Sequence, residues 1–137
     1  MEYFVDANIF LRYLTNDVEE QAQAVEVLLR RAAAGDIQLV TNAMVMAELV
    51  WVMESVYNLP RSVIKEYVLI IVNTPGLTIP MADMIVQAVT WFAEKNVDFI
   101  DAYNAAWMGR EEISQIFTFD QKHFRRFPEL TPLLPPG

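Results

Sequence analysis

The sequence predicts an α/β domain with a central, mostly parallel sheet of about four to five strands flanked by helices. Short apolar segments typical of strands alternate along the whole chain with longer segments typical of helices. With 137 residues, of which 54% are hydrophobic, the chain can form one substantial core. We therefore expect residues 1–137 to be a single domain, in which residues 131–137 form a Pro-rich tail on the surface.

The elements of the first half follow from apolar periodicity and from residues that start or end helices. Asp17 is placed to cap one helix and Gly35 to end it, and either Thr41 or Asn42 can cap the next. The predicted elements are a strand at 3–5, helices at 7–14 and 18–34, a strand at 37–40, a helix that follows the cap at 41 or 42 and ends near 58–60, and a helix at 61–72.

The second half continues the alternation of strands and helices. Pro80 closes a strand, Asn96 is a suitable C-cap, and Asp120 directly follows the last strand. The predicted elements are a strand at 77–79, helices at 82–95 and from 98 or 99 to 110, and a strand at 115–119.

The composition excludes several kinds of catalytic and metal site. Without cysteine, the chain has no thiolate zinc site, disulfide or cysteine nucleophile. Its one histidine, His123, excludes catalysis by a histidine pair and is predicted to be a solvated surface residue. The net charge of -8 argues against binding nucleic-acid phosphates over a broad surface. Acidic residues gathered around cations remain compatible with a nuclease.

The N-terminal sequence predicts no secretion signal. Residues 1–6 lack a basic region followed by a long apolar stretch. The longest apolar run, residues 67–72, is too short to span a bilayer. We therefore expect a cytoplasmic protein that does not insert into membranes.

One carboxylate has entirely apolar surroundings in the sequence. Glu48 is the only charged residue between Asp36 and Glu54, and a helix that is apolar on every side is usually buried. Burying an unpaired carboxylate is costly, so Glu48 is expected to have a compensating cation or hydrogen-bond network.

Three further acids occupy positions that suit a common site. Asp6 and Asp120 directly follow predicted strands, and parallel sheets bind ligands beyond the C-terminal ends of their strands. Asp101 and Glu48 lie near the starts of helices that can converge on the same edge. Carboxylates gathered there would repel one another unless hard cations such as Mg²⁺ or Mn²⁺ relieved the repulsion. Such a site can activate water for phosphodiester hydrolysis.

A set of short motifs resembles those of PIN-domain nucleases. The motifs are Val5-Asp6-Ala7-Asn8-Ile9, Ala47-Glu48-Leu49, Asp98-Phe99-Ile100-Asp101-Ala102 and Thr118-Phe119-Asp120. Each motif is weak alone, whereas the set occurs in the family's order and spans nearly the whole chain. The short single-domain form most resembles the VapC toxins of toxin–antitoxin pairs.

The resemblance implies a PIN-like fold and a ribonuclease that depends on magnesium or manganese. The family's acidic metal-site positions are matched by Asp6, Glu48, Asp101 and Asp120, and its supporting positions by Asn8, Asp98 and Thr118. Family members typically form homodimers and are inhibited by a cognate antitoxin whose C-terminal segment enters the active-site groove. One departure is the segment 110–114, which carries two glutamates where relatives commonly have a glycine-containing turn.

Several large apolar residues are candidates for a surface that binds a second copy or the antitoxin. The helix that carries Glu48 has no polar face before residue 54, and methionine and aromatic side chains suit interfaces. The candidates are Tyr13, Leu14, Trp51, Met53 and Tyr57.

Each predicted site residue also has a purely structural interpretation. Asp6 and Asp120 would cap the helices that follow them, and Asp101 would serve the dipole of a helix whose N-cap is Asp98. Glu48 would be a core acid paired with Arg12, Lys65 or Arg110.

Two alternative functions belong to other classes. In one, the chain is a non-catalytic binding module whose acidic pocket holds magnesium or a basic peptide. In the other, Asp6 is the nucleophile of a phosphatase or phosphotransferase, although the chain is short for that class and shows no convincing lysine-bearing phosphate motif. The binding module predicts partner binding without RNA turnover, and the phosphatase predicts a phospho-aspartate that can be trapped at Asp6.

Overall fold

The computed structural model describes residues 1–136, and within them seven helices alternate with five short strands. This order confirms the predicted α/β class. The chain is organised as two compact units, of which the first is Met1–Ala82 and the second begins at Asp83. None of the helices in the described part of the chain is long and apolar enough to cross a membrane.

The first unit is built around a parallel sheet of three strands. Its strands are β1 (Glu2–Phe4), β2 (Gln38–Val40) and β3 (Leu77–Thr78), and its helices are α1 (Ala7–Thr15), α2 (Glu19–Ala33), α3 (Ala43–Ser55) and α4 (Arg61–Val72). The strand order is β1-β2-β3, with Tyr3 opposite Leu39 and Leu39 opposite Leu77. The central strand β2 therefore buries Leu39 almost completely.

The second unit combines helices with a separate pair of parallel strands. Its elements are α5 (Ala82–Glu94), α6 (Phe99–Arg110), β4 (Gln115–Phe117), α7 (Gln121–Phe124) and β5 (Thr131–Leu133). Trp91 packs edge-on against Phe127 with ring centroids 5.0 Å apart, and the ring of Phe124 lies 6.3 Å from that of Phe127. These aromatic contacts hold the short helix α7 against α5.

The helix predictions are confirmed to within a few residues. Helix α4 has the predicted bounds, and α3 ends at Ser55, a little earlier than predicted. Of the two candidate caps for α3, Asn42 is the one observed, since its Oδ1 accepts a hydrogen bond from the amide of Val45 at 3.1 Å.

The prediction of a single sheet of four to five strands is wrong, because the five strands in residues 1–136 form a three-stranded sheet and a two-stranded sheet. β4 pairs with β5, and the amide of Thr118 extends the ladder by donating to the carbonyl of Leu133 at 3.0 Å. β5 lies in the segment predicted to be an irregular tail, of which Gly137 is outside the described residues. Pro132 has no backbone N–H group. It is compatible with β5 because the outer side of an edge strand donates no hydrogen bonds to a neighbouring strand.

β1 differs from its predicted burial. Tyr3 and Phe4 are 47% and 60% exposed, so the prediction of a buried strand is wrong for them, whereas the following Val5 is buried. The fully buried hydroxyl of Thr41 donates to the carbonyl oxygen of Val5 at 2.8 Å. This bond ties the end of β1 to the segment before α3 and so fixes the point at which Asp6 leaves the sheet.

Asp17 does not cap α2 as predicted. The N-cap position is Val18, which makes no side-chain capping bond. Asp17 instead accepts hydrogen bonds from Thr15 Oγ1 at 2.9 Å, from the Tyr57 hydroxyl at 3.0 Å and from Arg12 Nη1 at 2.9 Å. The bond from Thr15, followed by those from Tyr57 and Arg12, holds the pKa of Asp17 below its usual value. These bonds connect the end of α1 to Tyr57, which follows α3 in the chain.

The turn after α6 places a glutamate in a left-handed conformation. Glu112 has a φ of 57°, and the amides of Glu112 and Ile113 donate to the carbonyls of Gly109 at 3.3 Å and Met108 at 2.9 Å. This pattern is the usual C-terminal ending of a helix, in which the left-handed position is commonly glycine. The turn expected in relatives thus forms here with a glutamate in the strained position.

We expect Glu112→Gly to raise the free energy of unfolding by about 1 kcal/mol, since glycine carries no Cβ penalty at positive φ. Chemical denaturation measures the change. The matched control is Glu111→Gly, which removes the same charge at a residue with φ of -88° and should cost about 0.5–1 kcal/mol. Equal effects of the two substitutions would contradict this account of the turn.

Candidate metal centre

In the first unit, Asp6 lies between β1 and α1 and is exposed. It is the N-cap of α1, and its Oδ1 accepts a weak hydrogen bond from the amide of Ile9 at 3.4 Å. Asn8 lies in the first turn of α1 and is also exposed. The structural interpretation of Asp6 as a cap is thus confirmed, and one carboxylate oxygen remains open to a ligand.

Glu48 lies on an exposed face of α3, so its predicted burial is wrong. Helix α3 buries one face, including Val45, Leu49 and Met53, and exposes Met44 and Trp51 on either side of Glu48 in the sequence. Solvent therefore compensates the charge of Glu48, and the helix needs no buried partner for it. The exposed face is formed by apolar residues, which is why the sequence pattern resembled that of a fully buried helix.

Two of the cations considered as partners of Glu48 pair with other acids. Arg12 binds Asp17 at 2.9 Å, and Arg110 lies 3.8 Å from Asp83. The interpretation of Glu48 as a core acid held by either arginine is therefore wrong, and its carboxylate is available to other ligands.

In the second unit, Asp98 and Asp120 act electrostatically on Asp101. Asp101 is half-buried in the first turn of α6, and Asp98 occupies the N-cap position without a side-chain capping bond. Burial raises the pKa of Asp101, and the nearby charges of Asp98 and Asp120 raise it further, while His123 opposes the shift. Asp98 and Asp120 thus lie close enough to Asp101 to affect its ionisation.

Asp120 is held by its neighbours on both sides. Its amide donates to Thr118 Oγ1 at 2.9 Å, and its Oδ1 accepts from the amide of His123 at 3.3 Å as the cap of α7. Nδ1 of His123 lies 2.7 Å and 2.9 Å from the two carboxylate oxygens. The hydrogen bond from the His123 side chain keeps the pKa of Asp120 below its usual value.

His123 is the residue of this cluster that the sequence interpretation missed. It was predicted to be solvated, whereas its ring contacts Asp120. The signal that could have revealed the pair is the three-residue spacing from Asp120, since a helix cap and a side chain in the first turn are neighbours. Thr118 contacts the backbone amide of Asp120 and not its carboxylate.

A family model described as PIN domain matches residues 3–130. The chain belongs to the PIN-domain family. PIN domains are typically metal-dependent nucleases. Family membership therefore confirms the predicted enzyme class, a nuclease and hence a hydrolase. No curated protein and no solved structure matches the chain. The matched span of the PIN domain includes every predicted site residue from Asp6 to Asp120.

The side chains of this PIN domain fit a hard divalent cation by their chemistry. Burial raises the pKa of Asp101, and the charges of Asp98 and Asp120 raise it further; a bound cation would offset both effects. Carboxylate oxygens are the ligands that Mg²⁺ and Mn²⁺ prefer. Within residues 1–136, however, no group of three or more His, Asp or Glu side chains is arranged so that it could hold a metal ion. The PIN domain therefore has the appropriate donors but no preformed chelate in the described structure.

Proposed function

We propose that this PIN domain is a Mg²⁺- or Mn²⁺-dependent endoribonuclease that hydrolyses RNA phosphodiester bonds. The observation that carries the proposal is the half-buried position of Asp101 near Asp98 and Asp120, where burial and then the charges of these two acids raise its pKa. Family membership supports a metal-dependent nuclease, and the absence of cysteine and of a second histidine leaves carboxylates as the principal metal donors.

The proposed roles follow the family's acidic positions. Asp6, Glu48 and Asp101 hold the principal ion, and Asp120 completes the site or holds a second ion. Thr118 orients Asp120 through the bond to its amide, and Asn8 and Asp98 support the ligands. A bound ion would lower the pKa of water and stabilise charge on phosphate oxygens.

We further propose that the enzyme is a VapC-like toxin that forms homodimers in the cytoplasm and is neutralised by a cognate antitoxin. The order of the sequence motifs supports this proposal, and so do Tyr13 and Trp51, which are exposed aromatic residues. Met53 is excluded from the proposed interface because it is fully buried. Tyr57 is half-buried, and its hydroxyl donates a hydrogen bond to Asp17. This structural role accounts for Tyr57 without an interface.

The proposal is tested by metal removal. Purified protein is incubated with total cellular RNA and Mn²⁺, and the cleavage sites are mapped. We expect EDTA to stop cleavage and excess Mn²⁺ or Mg²⁺ to restore it, because carboxylates alone provide no Lewis acid at the scissile phosphate. Cleavage that continues unchanged in EDTA would contradict a metal-dependent nuclease.

A non-catalytic binding module is the second candidate. It is favoured by the contact of both Asp120 carboxylate oxygens with His123, which satisfies that carboxylate without a metal ion. In the metal-removal assay, this function predicts no RNA cleavage under any condition, combined with measurable binding of a protein or cation.

A further inference from the structure

Two phenylalanines at the end of β4 are exposed to solvent. Phe119 is 85% exposed and Phe117 is 65% exposed, although a phenylalanine side chain is among those most often buried. They flank Thr118, whose amide still belongs to the β-ladder through Leu133. Phe117 ends β4 and Phe119 follows two residues later in a bend, so both phenylalanines belong to one short stretch of surface chain.

The phenylalanines lie beside an unusual concentration of positive charge. Lys122, Arg125 and Arg126 follow within a few residues, in a chain that has only 10 lysines and arginines and a net charge of -8. Lys122 and Arg125 are exposed. Arg126 donates to the carbonyl of Asn96, which fixes this segment to the end of α5. The site therefore combines aromatic rings with cations on the surface of the second unit.

This combination fits single-stranded nucleic acid better than it fits a protein partner. Bases stack on exposed aromatic rings regardless of sequence, and neighbouring cations follow the phosphates. Charged residues are depleted at the centres of protein interfaces, whereas Asp120, Lys122 and Arg125 follow Phe119 within six residues.

We propose that Phe119, assisted by Phe117, is a stacking platform for unpaired bases of the RNA substrate, with Lys122 and Arg125 contacting the adjacent phosphates. The inference rests on the proposed function and adds the side chains that would hold unpaired bases and the adjacent phosphates of its substrate. Because Phe119 immediately precedes the proposed ligand Asp120, the stacked base would belong to a nucleotide close to the scissile phosphate.

The first experiment measures cleavage of a single-stranded oligoribonucleotide and of the same sequence in a duplex. We expect Phe119→Ala to raise KM for the single strand about tenfold, which corresponds to the loss of one stacked base. Phe119→Trp should retain the wild-type KM, whereas Phe119→Leu should behave like Phe119→Ala, because leucine is apolar but does not stack. The control is Trp107→Ala, which removes an exposed aromatic residue on α6 and should leave KM unchanged.

The second experiment separates this inference from the nuclease proposal. Binding of a fluorescent single-stranded oligoribonucleotide is measured by anisotropy in EDTA with the Asp6→Asn background, where no cleavage is required. Tenfold weaker binding by Phe119→Ala, rescued by Phe119→Trp, supports the platform even if the wild type cleaves no RNA. Unchanged RNA affinity overturns the platform, and a change in gel-filtration mass together with unchanged affinity assigns Phe119 to an interface between copies instead.

Discussion

Asp6→Asn should reduce RNA cleavage by on the order of a thousandfold or more, because a metal ligand supports several kcal/mol of transition-state stabilisation. The fold should remain intact for a reason specific to this position. Asp6 is exposed and caps α1 through an acceptor bond to the amide of Ile9, and asparagine caps helices about as well as aspartate. The substitution therefore removes the charge while preserving the cap.

Cleavage of total RNA with Mn²⁺ and the thermal midpoint are measured on the same preparations. The midpoint of Asp6→Asn should lie within about 2 °C of the wild type. Asp36→Asn is the matched control, because Asp36 is an exposed acid of the same unit outside the proposed site, and it should retain full cleavage. Cleavage by Asp6→Asn within a few-fold of the wild type would remove Asp6 from the site.

Gly76→Ala should destabilise the protein by about 2–4 kcal/mol, which combines a left-handed backbone penalty with overpacking. Gly76 has a φ of 80°, and a Cβ added there would overlap the carbonyl group of Ala32 and lie 2.8 Å from its Cβ. The loop cannot easily move away, because the carbonyl of Gly76 accepts a hydrogen bond from the amide of Leu39 at 3.0 Å. Displacement would therefore disrupt the central strand β2.

Comparison with Gly35→Ala separates the steric part of this effect from the backbone penalty. Gly35 has a φ of 84°, and nothing lies within 4 Å of a Cβ added to it, so its substitution should cost only about 1 kcal/mol. Urea denaturation of both variants measures the difference. Equal destabilisation would show that contact with Ala32 contributes nothing.

The sequence predicted local structure well where short-range signals agree. The bounds of α4 and the start of α6 were predicted because proline, asparagine and aspartate residues mark helix ends within a few residues of the apolar pattern. The positions of Asp6 and Asp120 at helix caps were predicted for the same reason, although β4 ends at Phe117, earlier than predicted. The ordered motifs predicted the PIN-domain family, which the family model confirms over residues 3–130.

Interactions between distant residues could not be predicted in this way. The exposure of Glu48 depends on which face of an apolar helix lacks a covering element, and hydrophobic content alone contains no such information. The partner of β4 is β5 rather than an earlier strand, which depends on pairing across a segment that resembles a coil. Asp17 similarly bonds to Tyr57, 40 residues away, instead of the adjacent helix end.

The sequence by itself determined the α/β class, the family, most helix bounds and the helix-cap positions of Asp6 and Asp120. These features depend on periodicity, capping chemistry and residue type, which act over a few neighbouring residues. Only the tertiary structure decided that Glu48 is solvated, that the strands form two sheets, and that His123 contacts Asp120 beside the half-buried Asp101. Burial, strand pairing and carboxylate repulsion depend on distances through space, and these are set only when the chain has folded.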